Sequence, residues 1–158
     1  MQARTIEWGN SYLPSEYVVV PRGQELVSYT PTGVNGLRFR AKYGMVGLAI
    51  IQKDFVAEGL NEVGLSAGLF YFPHYGKYEE YDEAQNATTL SDLQVVNWML
   101  SQFATIDEVK AAIEGVKVVS LDTINCLCLN KIILAKWKVI NSCDTLIICH
   151  DGDRKSVV

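Results

Sequence analysis

Cysteine is absent ahead of residue 126: the four in this 158-residue chain, Cys126, Cys128, Cys143 and Cys149, all stand in its last third. A chain of this length with no export signal at its start needs no disulfide staples, so they read first as buried thiols. Zinc held by these cysteines and His150 is the sharper alternative, but Cys126-x-Cys128 lacks the usual two-residue gap and the later pair has no companion. Basic residues are also short: 14 Lys and Arg stand against 18 Asp and Glu, for a net charge of -4. Such a balance offers no basic face to a phosphate backbone, which argues against nucleic acid as a partner. No apolar run approaches the roughly 18 residues of a membrane helix, so no membrane partner is expected. The first residues lack the basic-then-apolar order of an export signal. The chain as it stands therefore reads as cytoplasmic, and a signal peptide upstream would instead send it to the periplasm. Internal repeats and low-complexity tracts are missing too.

What is present is enough for a core. The composition is 49% apolar and 20% charged, and a chain of this size buries roughly 70% of its unfolded surface as about one domain. Residues 16–21, EYVVVP, form a β-branched run closed by Pro21-Arg22-Gly23, the pattern of a strand. Residues 22–42 are turn-rich and then alternate through LRFRAKY, which predicts a hairpin. YGMVGLAII at 43–51 and GLSAGLFYF at 64–72 read as strands threaded with small residues, suited to tightly packed layers or to a backbone that comes near a ligand. The intervening AEGLNEVG has turn chemistry. From Pro73 to Thr89 runs a polar loop with Tyr75, Tyr78 and Tyr81 spaced by three. Long loops of this kind are often functional, and the same tyrosines equally suit covering an edge.

Two helices follow. Ser91-x-x-Gln94 has the form of a capping box ahead of Leu93, Val96, Leu100 and Phe103, predicting an amphipathic helix over 91–103. Thr105-x-x-Glu108 is a second box, with Gly115 as its stop. Residues 121–143 are poorly punctuated. DTLIICH, the turn Asp151-Gly152-Asp153 and RKSVV then predict a β-hairpin. Strands first and helices over them argue for an α+β layered domain.

One cluster stands apart. Arg4, Glu7 and Trp8 lie together in ARTIEW at 3–8. Taken alone, an i,i+3 Arg and Glu is a solvated ion pair worth under about 1 kcal/mol. With VVVPRG at 18–23, GLNEVGLSAGLFYFPHYGKY at 59–78 and TIDEVKAAIEGVKVV at 105–119, however, it resembles the choloylglycine hydrolase family, which includes bile salt hydrolases and penicillin V acylases. The resemblance is strong over residues 3–120 and weak over 121–158.

The resemblance implies a partial αββα N-terminal nucleophile hydrolase sandwich, with antiparallel sheets and two covering helices. It implies cleavage of a linear amide C–N bond in a small-molecule substrate, a conjugated bile salt or penicillin V, without cofactor or metal. The family's nucleophile is a cysteine at the processed amino terminus, whose own α-amino group serves as base because its pKa lies near neutrality. Arg4 matches the arginine and Glu7 the acid, more often Asp, that lie beside that sulfur. A cation there favours the thiolate and an acceptor orients the amine. Counting back from Arg4 to the family's cysteine passes Met1. The 158 residues are accordingly read as a single incomplete domain, lacking the nucleophile and inactive by itself. The position that helps hold the oxyanion falls on Phe70 or Tyr71, with Tyr71 favoured by the following Phe-Pro. Tyr71 as an ordinary core aromatic stays open. Phe70, Tyr75 and Tyr78 would suit an apolar acyl group or a steroid, and His74 reads as a loop residue. The alternative is a non-catalytic remnant that binds an apolar ligand at most or self-associates, since a truncated sandwich exposes strand edges and apolar faces. A homo-oligomer is expected in either case.

Overall fold

The computed structural model describes residues 13–70, 78–121, 131–137, 143–151 and 154–157, the last three stretches by their backbone alone. The run at 16–21 forms strand β1 (Ser15–Val20), and the turn-rich stretch forms the antiparallel pair β2 (Glu25–Val27) and β3 (Arg38–Arg40). Next come β4 (Met45–Ile50), β5 (Val56–Asn61) and β6 (Leu65–Phe70). A short parallel pair, β7 (Thr89–Ser91) and β8 (Lys117–Val119), brackets the helices α1 (Val95–Gln102) and α2 (Ile106–Ile113). The chain continues through β9 (Lys131–Trp137), β10 (Cys143–Asp151) and β11 (Arg154–Val157). Seven strands form one antiparallel sheet in the order β1-β4-β5-β6-β9-β10-β11. The expected hairpins at 22–42 and 144–158 are both present. Cys143 and Cys149 lie six positions apart on β10, about 20 Å along a strand, so they cannot share one zinc ion.

The segment 57–64 corrects its turn-like reading. Ala57–Asn61 belong to β5, and only Glu62, Val63 and Gly64 turn, with Gly64 at φ +87°. The polar and glycine content that suggests a turn has another cause. Gly59 pairs with Gly47 in register, and a Cβ on Gly59 would stand 2.9 Å from Leu100 Cδ1 and 2.8 Å from Val46 O. The two glycines make the seat on which α1 lies, so the small residues serve packed layers.

α1 also differs from its expected form. Ser91 caps the turn by accepting from the Leu93 amide, but residues 92–94 are 3-10 and the α-helix begins at Val95. The Gln94 side chain does not return to Ser91. Its Oε1 accepts from Ser28 Oγ at 3.0 Å and from the Tyr29 amide at 2.7 Å, satisfying donors in a buried loop. Nor is the helix amphipathic: Val95 through Ser101 are all buried. The sheet lies on one side, and on the other the chain entering β4 donates its Lys42 and Tyr43 amides to Ser101 O at 2.8 and 3.0 Å.

α2 keeps the capping box as expected. Thr105 Oγ1 accepts from the Glu108 amide, and Glu108 Oε2 accepts from the Thr105 amide. Thr105→Ala is expected to cost about 1 kcal/mol, read as a lower urea midpoint at unchanged slope.

The helices cover one face of the sheet. Core residues Met45, Val56, Leu65, Ala67 and Leu69 meet Leu93, Val96, Met99, Leu100, Val109 and Ile113 there. Across β1, β4 and β5 the opposite face is apolar and open. Tyr17 is 87% exposed, Val19 74%, Val46 48% and Leu60 44%, and Val19, Val46 and Leu60 are consecutive partners across β1, β4 and β5.

Candidate active-site scaffold

Two of the blocks that carry the resemblance, 18–23 and the start of 59–78, are clasped together. Arg22 Nε, just past β1, donates to Glu62 Oε1 at 2.6 Å, and Glu62 also accepts the Gly44 amide at the entry to β4. The Arg22 bond, then the Gly44 amide, hold the Glu62 carboxyl below its ordinary range. Both side chains are well exposed, so the clasp fixes the strand ends more than it stabilises the fold.

Beside it, Asn61 is 2% exposed. Its Nδ2 donates to Leu100 O at 2.9 Å and Phe103 O at 2.8 Å, and its Oδ1 accepts from the Val63 and Leu65 amides at 3.2 and 2.9 Å. One side chain thus joins the end of α1 to the turn that launches β6.

β6 leads directly to the candidate site. Phe70 is its last residue, half-buried, and pairs in register with Lys131 of β9. Leu65, Ala67 and Leu69 point under the helices, so alternation turns Ser66, Gly68 and Phe70 to the other face. Ser66 is opposite Leu60 and Gly68 opposite Glu58, which places Phe70 on the face that carries Leu60, Val46 and Val19. The Phe70 ring folds back over Gly68, where a Cβ would stand 3.2 Å from Cε2.

Tyr78 is elsewhere. It packs against the core, and the neighbouring Glu79 amide donates to Val118 O on β8 at 3.3 Å. Tyr81 ties the loop to the β2–β3 connection, its hydroxyl 2.7 Å from Thr32 Oγ1 and donating to Asn86 Oδ1 at 2.9 Å. Arg4, Glu7, Tyr71, His74, Tyr75, Cys126 and Cys128 lie outside the described residues.

Sequence reasoning passed over three buried polar residues that build this scaffold: Asn61, Gln94 and Asp92. Each looks ordinary locally, as a turn residue, a cap partner and a first-turn acid. Asp92 is 3% exposed, and burial pushes its carboxyl up to about 6, against hydrogen bonds from the Leu93 and Leu121 amides and from Ser91 and Ser120.

An antiparallel sheet with helices on one face and apolar residues on the other is half of a sheet-on-sheet sandwich. Its fold is that of N-terminal nucleophile hydrolases. A variant of the conjugated bile acid hydrolase of Clostridium perfringens superposes with a TM-score of 0.70 at 21% identity, covering 90% of this chain and 42% of that one. The penicillin V acylase of Agrobacterium tumefaciens gives 0.68 at 22% identity, covering 91% and 41%. Residues 1–153 match the family model of linear amide C-N hydrolases, choloylglycine hydrolase family, and the chain belongs to that family. Among curated relatives, a bile salt hydrolase/transferase of Clostridium perfringens is 27% identical over 106 residues, 66% of this chain and 31% of that protein. One from Lactiplantibacillus plantarum is 23% identical over 108 residues, 67% and 32% respectively. The chain thus spans about a third of the length of the curated relatives it matches.

Proposed function

We propose that the protein carrying these residues hydrolyses a linear amide C–N bond in a conjugated bile salt or in penicillin V. The observation that carries this reading is the family match over residues 1–153. A cysteine thiolate at the processed amino terminus attacks the amide carbonyl and forms a thioester, and glycine, taurine or a penam amine leaves. Water then releases the acid. Arg4 favours the thiolate, Glu7 orients the terminal amine, and Tyr71 lies near the oxyanion. Phe70, Tyr75 and Tyr78 line the acyl side, and the position of Phe70 on the open apolar face supports an apolar acyl group.

The 158 residues form one incomplete domain in this reading, cytoplasmic and homo-oligomeric, with the substrate as a small-molecule partner. Among the described residues, no helix is long and apolar enough to cross a membrane. A purified polypeptide of these residues alone is expected to release no amine from glycocholate or penicillin V, because its first cysteine is Cys126. Turnover by it would overturn that part. A longer natural chain with a cysteine ahead of Arg4 is expected to turn over one of the two, and its failure on both would overturn the assignment.

A second reading rests on the exposed Tyr17, Val19, Val46 and Leu60. Here the chain binds an apolar ligand or its own copies without catalysis. Calorimetric binding of a bile acid with no turnover by the longer chain would favour it.

A further inference from the structure

Among the described residues, the polar network beneath α1 contains one ionisable side chain. Ser28, Ser91 and Gln94 are buried beside it: Ser28 Oγ donates to Gln94 Oε1 at 3.0 Å and accepts the Ser91 amide at 2.8 Å. Asp92 Oδ1 accepts from the Leu93 amide at 2.9 Å and from Ser91 Oγ at 3.3 Å. The Leu121 amide and the Ser120 hydroxyl also donate to its carboxyl. One carboxyl therefore joins the end of β7, the turn that opens α1 and the chain leaving β8.

We propose that Asp92 is a proton-operated latch, holding the chain at Ser120 and Leu121 against the first turn of α1 and releasing it as the proton is lost. The protonated carboxyl is neutral, and its O–H can donate to Ser91 or Ser120 while the other oxygen keeps an amide. The carboxylate has the same donors but, among the described residues, no cation. β7 and α1 carry no ionisable residue, Lys117 of β8 donates to Gln85 Oε1 at 3.1 Å, and the Tyr29 hydroxyl donates to Asp54 Oδ2 at 3.3 Å. On β2 and β3, Glu25, Arg38 and Arg40 are exposed, and Arg40 Nε donates to Gly23 O. An ionised group so buried, with no counter-charge among the described residues, is better hydrated, and hydration requires the latch to open.

The sign follows. The proton binds more tightly closed than open, so the closed state has its full advantage below the ordinary carboxyl value of 3.8 and loses it as pH rises through about 6. Amide exchange at Leu93 and Leu121, corrected for its intrinsic pH dependence, should report an opening equilibrium that grows up to about 100-fold from low pH to neutrality, the ratio set by that gap. Asp92→Asn should abolish the pH dependence. Equal pH dependence in wild type and variant would overturn the latch. Should the variant fail to fold, carboxyl carbon shifts of the wild-type chain decide: a midpoint near 6 that tracks Leu121 opening supports it, and a midpoint near 4 overturns it.

Discussion

Asn61→Ala is expected to be the most damaging single substitution on the helix side of the sheet. It removes two donors from the Leu100 and Phe103 carbonyls and one acceptor shared by the Val63 and Leu65 amides. Each buried backbone group left without a partner costs about 1–3 kcal/mol, and partial access of water to the turn lowers the sum, so the loss should be about 3–5 kcal/mol. That is a large part of the roughly 5–15 kcal/mol a domain has. A fall in the urea midpoint with an unchanged slope is the expected readout, and a loss under about 1 kcal/mol would contradict the geometry. Asn61→Asp separates the two halves of the role. It keeps the acceptor for Val63 and Leu65 but sets a carboxylate against two carbonyl oxygens. Burial and those oxygens raise its pKa in the fold, so its deficit relative to wild type should shrink as pH falls through that raised value.

Gly59→Val ranks second. The added Cβ would stand 2.8 Å from Val46 O, 2.9 Å from Leu100 Cδ1 and 3.2 Å from Gly47 Cα, so a side chain, the backbone of β4, or both must move. Overpacking of this kind costs about 1–3 kcal/mol and more where backbone is involved, so about 3 kcal/mol is expected. Leu100 is fully buried, and truncating it to alanine costs about 2–5 kcal/mol alone. In combination with Gly59→Ala the two losses should be less than additive by about 1 kcal/mol, because the cavity receives the new methyl. Strict additivity would show that Leu100 does not sit on Gly59.

The clasp and the buried amides explain why the family blocks read so clearly while their purpose did not. Arg22 and Glu62 are both conspicuous in the sequence, yet nothing local says that a residue 40 positions later receives the arginine. Asn61 and Gly59 look like turn formers because turns and close packing favour the same small or polar residues. Only the sheet register, which sets Gly59 against Gly47 beneath Leu100, distinguishes the two causes. Gln94 fails in the same way: the capping-box spacing is local, but the donors at Ser28 and Tyr29 come from far along the chain.

The sequence by itself determined the strands at 15–20, 45–50 and 65–70, the capped helix α2 and both hairpins, since alternation, capping and turn chemistry act over a few residues. Its motifs also carry the resemblance to the family that the chain belongs to. Tertiary structure decided what needs distant partners: that 56–61 is a central strand, that α1 is enclosed on both sides, and that Phe70 faces the open apolar layer while Tyr78 joins the core. Burial and long-range hydrogen bonds belong to the assembled layers, and no window of sequence contains them.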